Sequence, residues 1–164
     1  MPDDQPGVVF DCNVFLQAAA NEKGAAGQAF AIFEQERVQL FVSEEILREI
    51  RDVLDRPLIR QAFHGLSDIH IGAFLKRVET KAILITNVPE EFVLERDPGD
   101  SKYINLAIVT NAVLLVSRDR DLLDLMSGIE GGPARFRLRY PFLRILNPAD
   151  FVRTIEQQVE QQTD

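Results

Sequence analysis

Five carboxylates and one carboxamide in this chain stand where a divalent cation needs its ligands. Asp11 and Asn13 follow the apolar run Val8-Val9-Phe10, Glu49 lies in the helical stretch 43–54, Asp97 and Asp100 open another helix, and Asp119 follows the apolar run 113–116. Acids at the ends of buried strands are fixed by rigid backbone at one edge of a sheet, so residues far apart in sequence meet around one ion. Hard oxygen donors of this kind suit Mg²⁺ or Mn²⁺. The chemistry such a centre serves most directly is hydrolysis of a phosphodiester, in which a cation activates water and offsets charge on the leaving oxygen.

The elements that must carry these acids form an alternation. Strand-like runs at 8–11, 39–43, 82–86, 113–117 and 143–146 are separated by helix-like stretches at 13–20, 25–37, 44–56, 68–81, 98–110, 119–126 and 148–162. That pattern predicts an α/β fold, a central, mainly parallel five-stranded sheet with helices on both faces. The short strands are almost wholly apolar, as strands covered on both faces are. With 164 residues and no repeat or Gly/Ser linker, the chain reads as one domain over 1–164, with a core at 8–152 and a Gln-rich tail expected to fray after Glu156.

Taken one at a time, each acid has a plainer use. Asn13 fits a helix N-cap as well as a ligand, and Asp97-Pro98-Gly99-Asp100 is a strong helix-start signal. Asp11 is harder to dismiss, because a charge directly after three core residues is costly unless a cation or strong donors meet it. Glu49 flanks the apolar stripe of Ile46, Leu47, Ile50, Val53 and Leu54, whereas Glu44, Glu45, Asp52 and Asp55 read as solvated charge. Asp119 repeats the order of strand then acid seen at Asp11, and the carboxyl ends of parallel strands are where open sheets bind ligands.

The net charge is −8, which disfavours tight non-specific binding to duplex DNA. It does not exclude a metal nuclease, since bound cations would offset the clustered acids, and residues 118–144 hold 6 Arg against 4 acids. The single cysteine, Cys12, cannot form an internal disulfide, which agrees with a reducing cytoplasm. Residues 1–7 lack the apolar core of a signal peptide, and no apolar run is long enough to span a bilayer, so a cytoplasmic protein with no membrane association is expected. His64 and His70 lie in a polar helical region away from the acids and read as structural or surface residues.

Five blocks in order, Val-Val-Phe-Asp-Cys-Asn-Val-Phe, Ser-Glu-Glu-Ile-Leu-Arg-Glu-Ile, Arg-Asp-Pro-Gly-Asp-Ser-Lys-Tyr, Leu-Leu-Val-Ser-Arg-Asp-Arg-Asp-Leu-Leu and Leu-Asn-Pro-Ala-Asp-Phe, resemble those of PIN-domain ribonucleases. The likeness runs over 8–151 and is nearest to the branch described as toxins of toxin-antitoxin pairs. It implies a Rossmann-like open sheet with the first strand central, and a three-layer α/β/α domain. It implies Asp11, Glu49, Asp100 and Asp119 as catalytic, metal-binding acids for Mg²⁺ or Mn²⁺, with supporting roles for Asn13, Asp97 and Ser117. It also implies an RNA substrate, an antitoxin protein as partner, and a homodimer. Cys12 stands where the family usually has Thr, and 127–142 is longer than the usual connection to the last strand.

In that connection Arg135, Arg137 and Arg139 alternate with Phe136, Leu138 and Tyr140. A period of two predicts an extended chain with guanidinium groups on one face, serving either as a charged strand edge or as an RNA contact. Two other functions fit the same fold class. A phosphatase would use Asp11 as nucleophile, but the Asp11-x-Asn13 pair lacks a second acid and no lysine-bearing motif stands out beside the acids. A non-catalytic RNA-binding or protein-interaction module would leave a complete acid set unexplained.

Overall fold

A computed structural model of the chain describes residues 5–163; residues 1–4 and 164 lie outside that description, and with them most of the segment read for a leader. Strands β1 (Gly7–Phe10), β2 (Gln39–Ser43), β3 (Ile83–Ile85), β4 (Leu114–Val116) and β5 (Arg144–Leu146) form one parallel sheet in the order β3-β2-β1-β4-β5. Helices α1 (Cys12–Ala20), α2 (Ala25–Glu34), α3 (Glu44–Leu54), α4 (Pro57–Ala62), α5 (Asp68–Lys81), α6 (Ser101–Thr110), α7 (Arg120–Leu123), α8 (Gly131–Arg139) and α9 (Pro148–Thr163) complete the three-layer α/β/α architecture.

The core follows from side chains that are apolar on both sides of the central strands. Val8, Val9 and Phe10 of β1 and Leu114, Leu115 and Val116 of β4 are all buried, as a parallel sheet between helices requires. The Phe10 ring meets Phe15 of α1 at 5.6 Å and Phe151 of α9 at 5.7 Å, so these helices share one face, with α2 packed against both. Helix α6 runs along β1, β2 and β4, and buries Tyr103, Ile104, Leu106 and Ala107 together with the polar Ser101 and Asn105.

Topology decides where a site can form. From β1 the chain steps outward through β2 to β3, then returns to the other side of β1 as β4 and β5. The direction reverses between β1 and β4, and at such a point the carboxyl ends of neighbouring strands open a crevice. Phe10 pairs with Val116, so the residues that follow, Asp11 and Ser117, emerge side by side.

Three expectations about elements and neighbours need correction. Residues 135–140 are not an extended edge but the end of α8 and its cap: Phe136 and Tyr140, one helical turn apart, are buried, while Leu138 is 83% exposed. The ring of Phe92 decides this, lying 5.1 Å from Phe136 and 6.2 Å from Tyr140, because a period of four brings both rings to it and a period of two would add Leu138. Strand β3 is not covered on both faces, since it is an edge strand and Ile83 and Leu84 are exposed. A lysine does stand beside the acids, as the next section shows.

Candidate metal centre

Asp11 is only 3% exposed and caps α1, its Oδ1 accepting the Val14 backbone N–H at 2.9 Å. Its Oδ2 accepts from the Ser117 hydroxyl, and that same oxygen of Ser117 accepts the Asp119 N–H at 2.9 Å. One buried hydroxyl thus ties the acid after β1 to the acid after β4. Burial pushes the Asp11 carboxyl up to about 6 against the two hydrogen bonds, and the charges of Asp119 and Glu49 add to the rise. A rise of that size is on the order of 3 kcal/mol in favour of the neutral form, so an anionic Asp11 calls for a cation nearby.

Asp97 and Asp100 arrive on a 3-10 turn, Pro98–Asp100, immediately before α6. Asp97 Oδ1 accepts the Gly99 N–H at 3.1 Å, which fixes the turn as the helix-start reading required. Asp119 caps α7 through the Asp121 N–H at 2.9 Å. Capping leaves each carboxylate further lone pairs, and Asp97, Asp100 and Asp119 each offer an oxygen within 4.8 Å of the other two. Burial, a hydrogen bond with Asp119 and the charges of Asp97, Asp119 and Asp11 push Asp100 up to about 8. Carboxylates this close share a proton when no cation separates them.

Glu49 is not one of these three, though its charge reaches Asp11. From α3 it accepts hydrogen bonds from the Tyr103 hydroxyl at Oε1 and the Lys102 ammonium at Oε2, both on α6. The Tyr103 oxygen in turn accepts the Cys12 N–H at 3.2 Å. Burial, with Glu49 nearby, raises Tyr103 and pushes the Cys12 thiol up to about 12, so both stay neutral donors. Lys102 was not expected beside the acids; its ammonium is committed to Glu49.

The remaining expected residues divide. Ser117 is fully buried and joins two of the acids, whereas Asn13 is exposed and its side chain makes no hydrogen bond among the described residues. Asp97 stands inside the acid group on equal terms with Asp100 and Asp119. Two of the arginines of α8 are engaged elsewhere: Arg137 donates to the carbonyls of Leu125 at 2.8 Å and Ser127 at 3.0 Å, and Arg139 pairs with Glu91 at 3.2 Å. Two buried polar residues of α6 were missed in the sequence. Asn105 Oδ1 accepts the N–H groups of Glu91 and Phe92, and Ser101 Oγ accepts that of Leu94 at 2.8 Å, latching the segment before Asp97. A polar residue on the buried face of an otherwise apolar helix was the available signal.

Comparison with known proteins identifies the family. The model of the PIN domain matches residues 7–121, which contain Asp11, Glu49, Asp97, Asp100, Ser117 and Asp119. This chain belongs to the PIN-domain family. It is therefore a member of a family of nucleases, with an acid cluster able to bind a metal ion. The chain is also 26% identical over 149 residues to the uncharacterized protein MJ1680 of Methanocaldococcus jannaschii, a match that covers 91% of each chain. Among the described residues no helix is long and apolar enough to cross a membrane.

Proposed function

We propose that this PIN domain is a divalent-metal-dependent ribonuclease whose centre is formed by Asp11, Asp97, Asp100 and Asp119, with Glu49 near Asp11. The observation that carries this reading is the convergence of the Asp97, Asp100 and Asp119 oxygens within 4.8 Å of one another, beside a buried Asp11 joined to Asp119 through Ser117. An all-oxygen donor set with two carboxyls raised by crowding and burial fits Mg²⁺ or Mn²⁺. A divalent cation held there supplies the Lewis acidity that makes water a nucleophile at neutral pH and offsets charge on the phosphate. The chain's own residues do the positioning. Ser117 fixes Asp11, the capping turns aim Asp97 and Asp119, and Lys102 with Tyr103 holds Glu49.

Asp11→Asn tests the assignment. Asn retains an oxygen to cap α1, so the protein folds while the centre loses an anionic ligand. Cleavage of a mixed RNA pool in Mn²⁺ is expected from the parent, to stop in EDTA, and to be lost in Asp11→Asn but retained in Glu45→Gln, a change on the exposed side of α3. Parental cleavage by Asp11→Asn, or cleavage that survives EDTA, contradicts the reading.

The toxin role belongs to the same proposal, supported by the likeness of the five sequence blocks to that branch. Expression of the parent is then expected to slow growth, and expression of Asp11→Asn is not. An antitoxin protein and a second copy of this chain are the partners that role implies, in the cytoplasm. Light scattering of the purified chain reads the second copy directly.

A further inference from the structure

Beside the acid centre, a cavity of about 490 Å³ lies between the segment 92–96 and α8. Its size is that of a small-molecule site. Both walls are held in place: Asn105 and Ser101 latch one, and Arg137 fastens the other to the carbonyls after α7. The floor is apolar, with the half-buried Phe92 at its surface, packed on the buried rings of Phe136 and Tyr140.

The lip carries charge of two kinds. Arg96 is spent on Asp121 at 2.8 Å and Asp124 at 3.0 Å, and Arg139 on Glu91. Arg135 and Glu95 are exposed, line the cavity and have no side-chain partner among the described residues. The cavity is linked to the acids by two of its wall residues: Asp121, whose N–H orients Asp119, and Arg96, which immediately precedes Asp97. Helix α8 lies beyond residues 7–121, so this wall is not part of the matched family domain.

We propose that this cavity binds one unpaired nucleotide of the RNA, next to the phosphate held at the acid centre. The apolar floor offers the Phe92 ring to a base face, Arg135 meets the adjoining backbone phosphate, and Glu95 accepts from an N–H on the base edge. A base stacked and paired in a duplex cannot enter, so the cavity selects single strands. This rests on the ribonuclease reading for its substrate, but binding can be measured without cleavage.

The test is NMR of the isotopically labelled, metal-free protein in EDTA, titrated with each of the four nucleoside 5′-monophosphates. Two variants accompany it, Arg135→Ala and Gly132→Trp. A Cβ at Gly132 would meet only the Arg135 guanidinium, at 4.0 Å, so a side chain leaves the backbone there without a clash, and Trp is chosen to block the mouth. Shifts are expected at 92–96 and α8, weakened about tenfold by Arg135→Ala and abolished by Gly132→Trp. In Mn²⁺, both variants raise KM for single-stranded RNA and leave kcat near the parent value, and duplex RNA does not compete. If the monophosphates cause no shifts there, or both variants bind and cleave like the parent, the pocket assignment falls and the nuclease reading stands. If binding and its loss in the variants are seen but the parent cleaves no RNA, the nucleotide site holds and the nuclease reading falls.

Discussion

At the scale of single residues, the acids are arranged against their own stability. Asp11 and Asp100 titrate higher in the folded chain than the usual carboxylate value of 3.8, at about 6 and about 8. The folded protein therefore binds more protons than the unfolded chain between these limits, and their contribution to stability is full below about pH 4 and is lost as pH rises through about 6 and about 8. Asp100→Asn removes one of these charges. In EDTA its melting temperature is expected to exceed that of the parent at pH 8, with the difference closing toward pH 5. A difference that is constant with pH, or of opposite sign, would contradict the crowding that defines the centre. The positions of Asp11, Asp97, Asp100 and Asp119 were legible in sequence because each sits at a strand end or helix start. Their partners were not. Ser117 came only from the family likeness, and Lys102 and Tyr103 reach Glu49 from more than fifty positions away, a contact that no local pattern records.

At the scale of elements, α8 separates two readings of the same residues. An extended segment puts Phe136, Leu138 and Tyr140 on one face, and the helix buries the first and last and turns Leu138 out. Phe136→Ala is expected to cost about 3–5 kcal/mol, and Leu138→Glu to stay within about 0.5 kcal/mol, both read by urea denaturation. Equal losses in the two variants would restore the extended reading. The sequence was ambiguous here because the arginines alternate while the rings recur at helical spacing, and Phe92, which settles the choice, lies in an irregular loop. A second element test concerns the start of α2. A Cβ at Gly27 would lie 2.3 Å from the Glu22 carbonyl oxygen and 2.5 Å from that of Asn21, so Gly27→Ala is expected to lower stability by about 1–3 kcal/mol. An unchanged denaturation midpoint would mean that the α1–α2 turn is looser than this packing indicates.

At the scale of the whole molecule, strand order converts a list of acids into a place. The alternation of apolar runs and amphipathic helices was enough for a parallel α/β sheet, but spacing alone does not say that β1 sits between β2 and β4; the family likeness supplied only that the first strand is central. With β1 central, the chain reverses where Asp11 and Ser117 emerge, and α6 brings Asp97 and Asp100 to the same crevice. The central claim is that this crevice holds a divalent cation. Calorimetric titration of Mn²⁺ into the metal-free protein at pH 7, repeated in two buffers of different ionisation enthalpy, tests it. Because Asp100 titrates at about 8, a bound cation displaces its proton. The prediction is saturable binding with proton release in the parent, and weaker binding without that release in Asp100→Asn. Absence of Mn²⁺ binding, or the same affinity and proton release in Asp100→Asn, would contradict it.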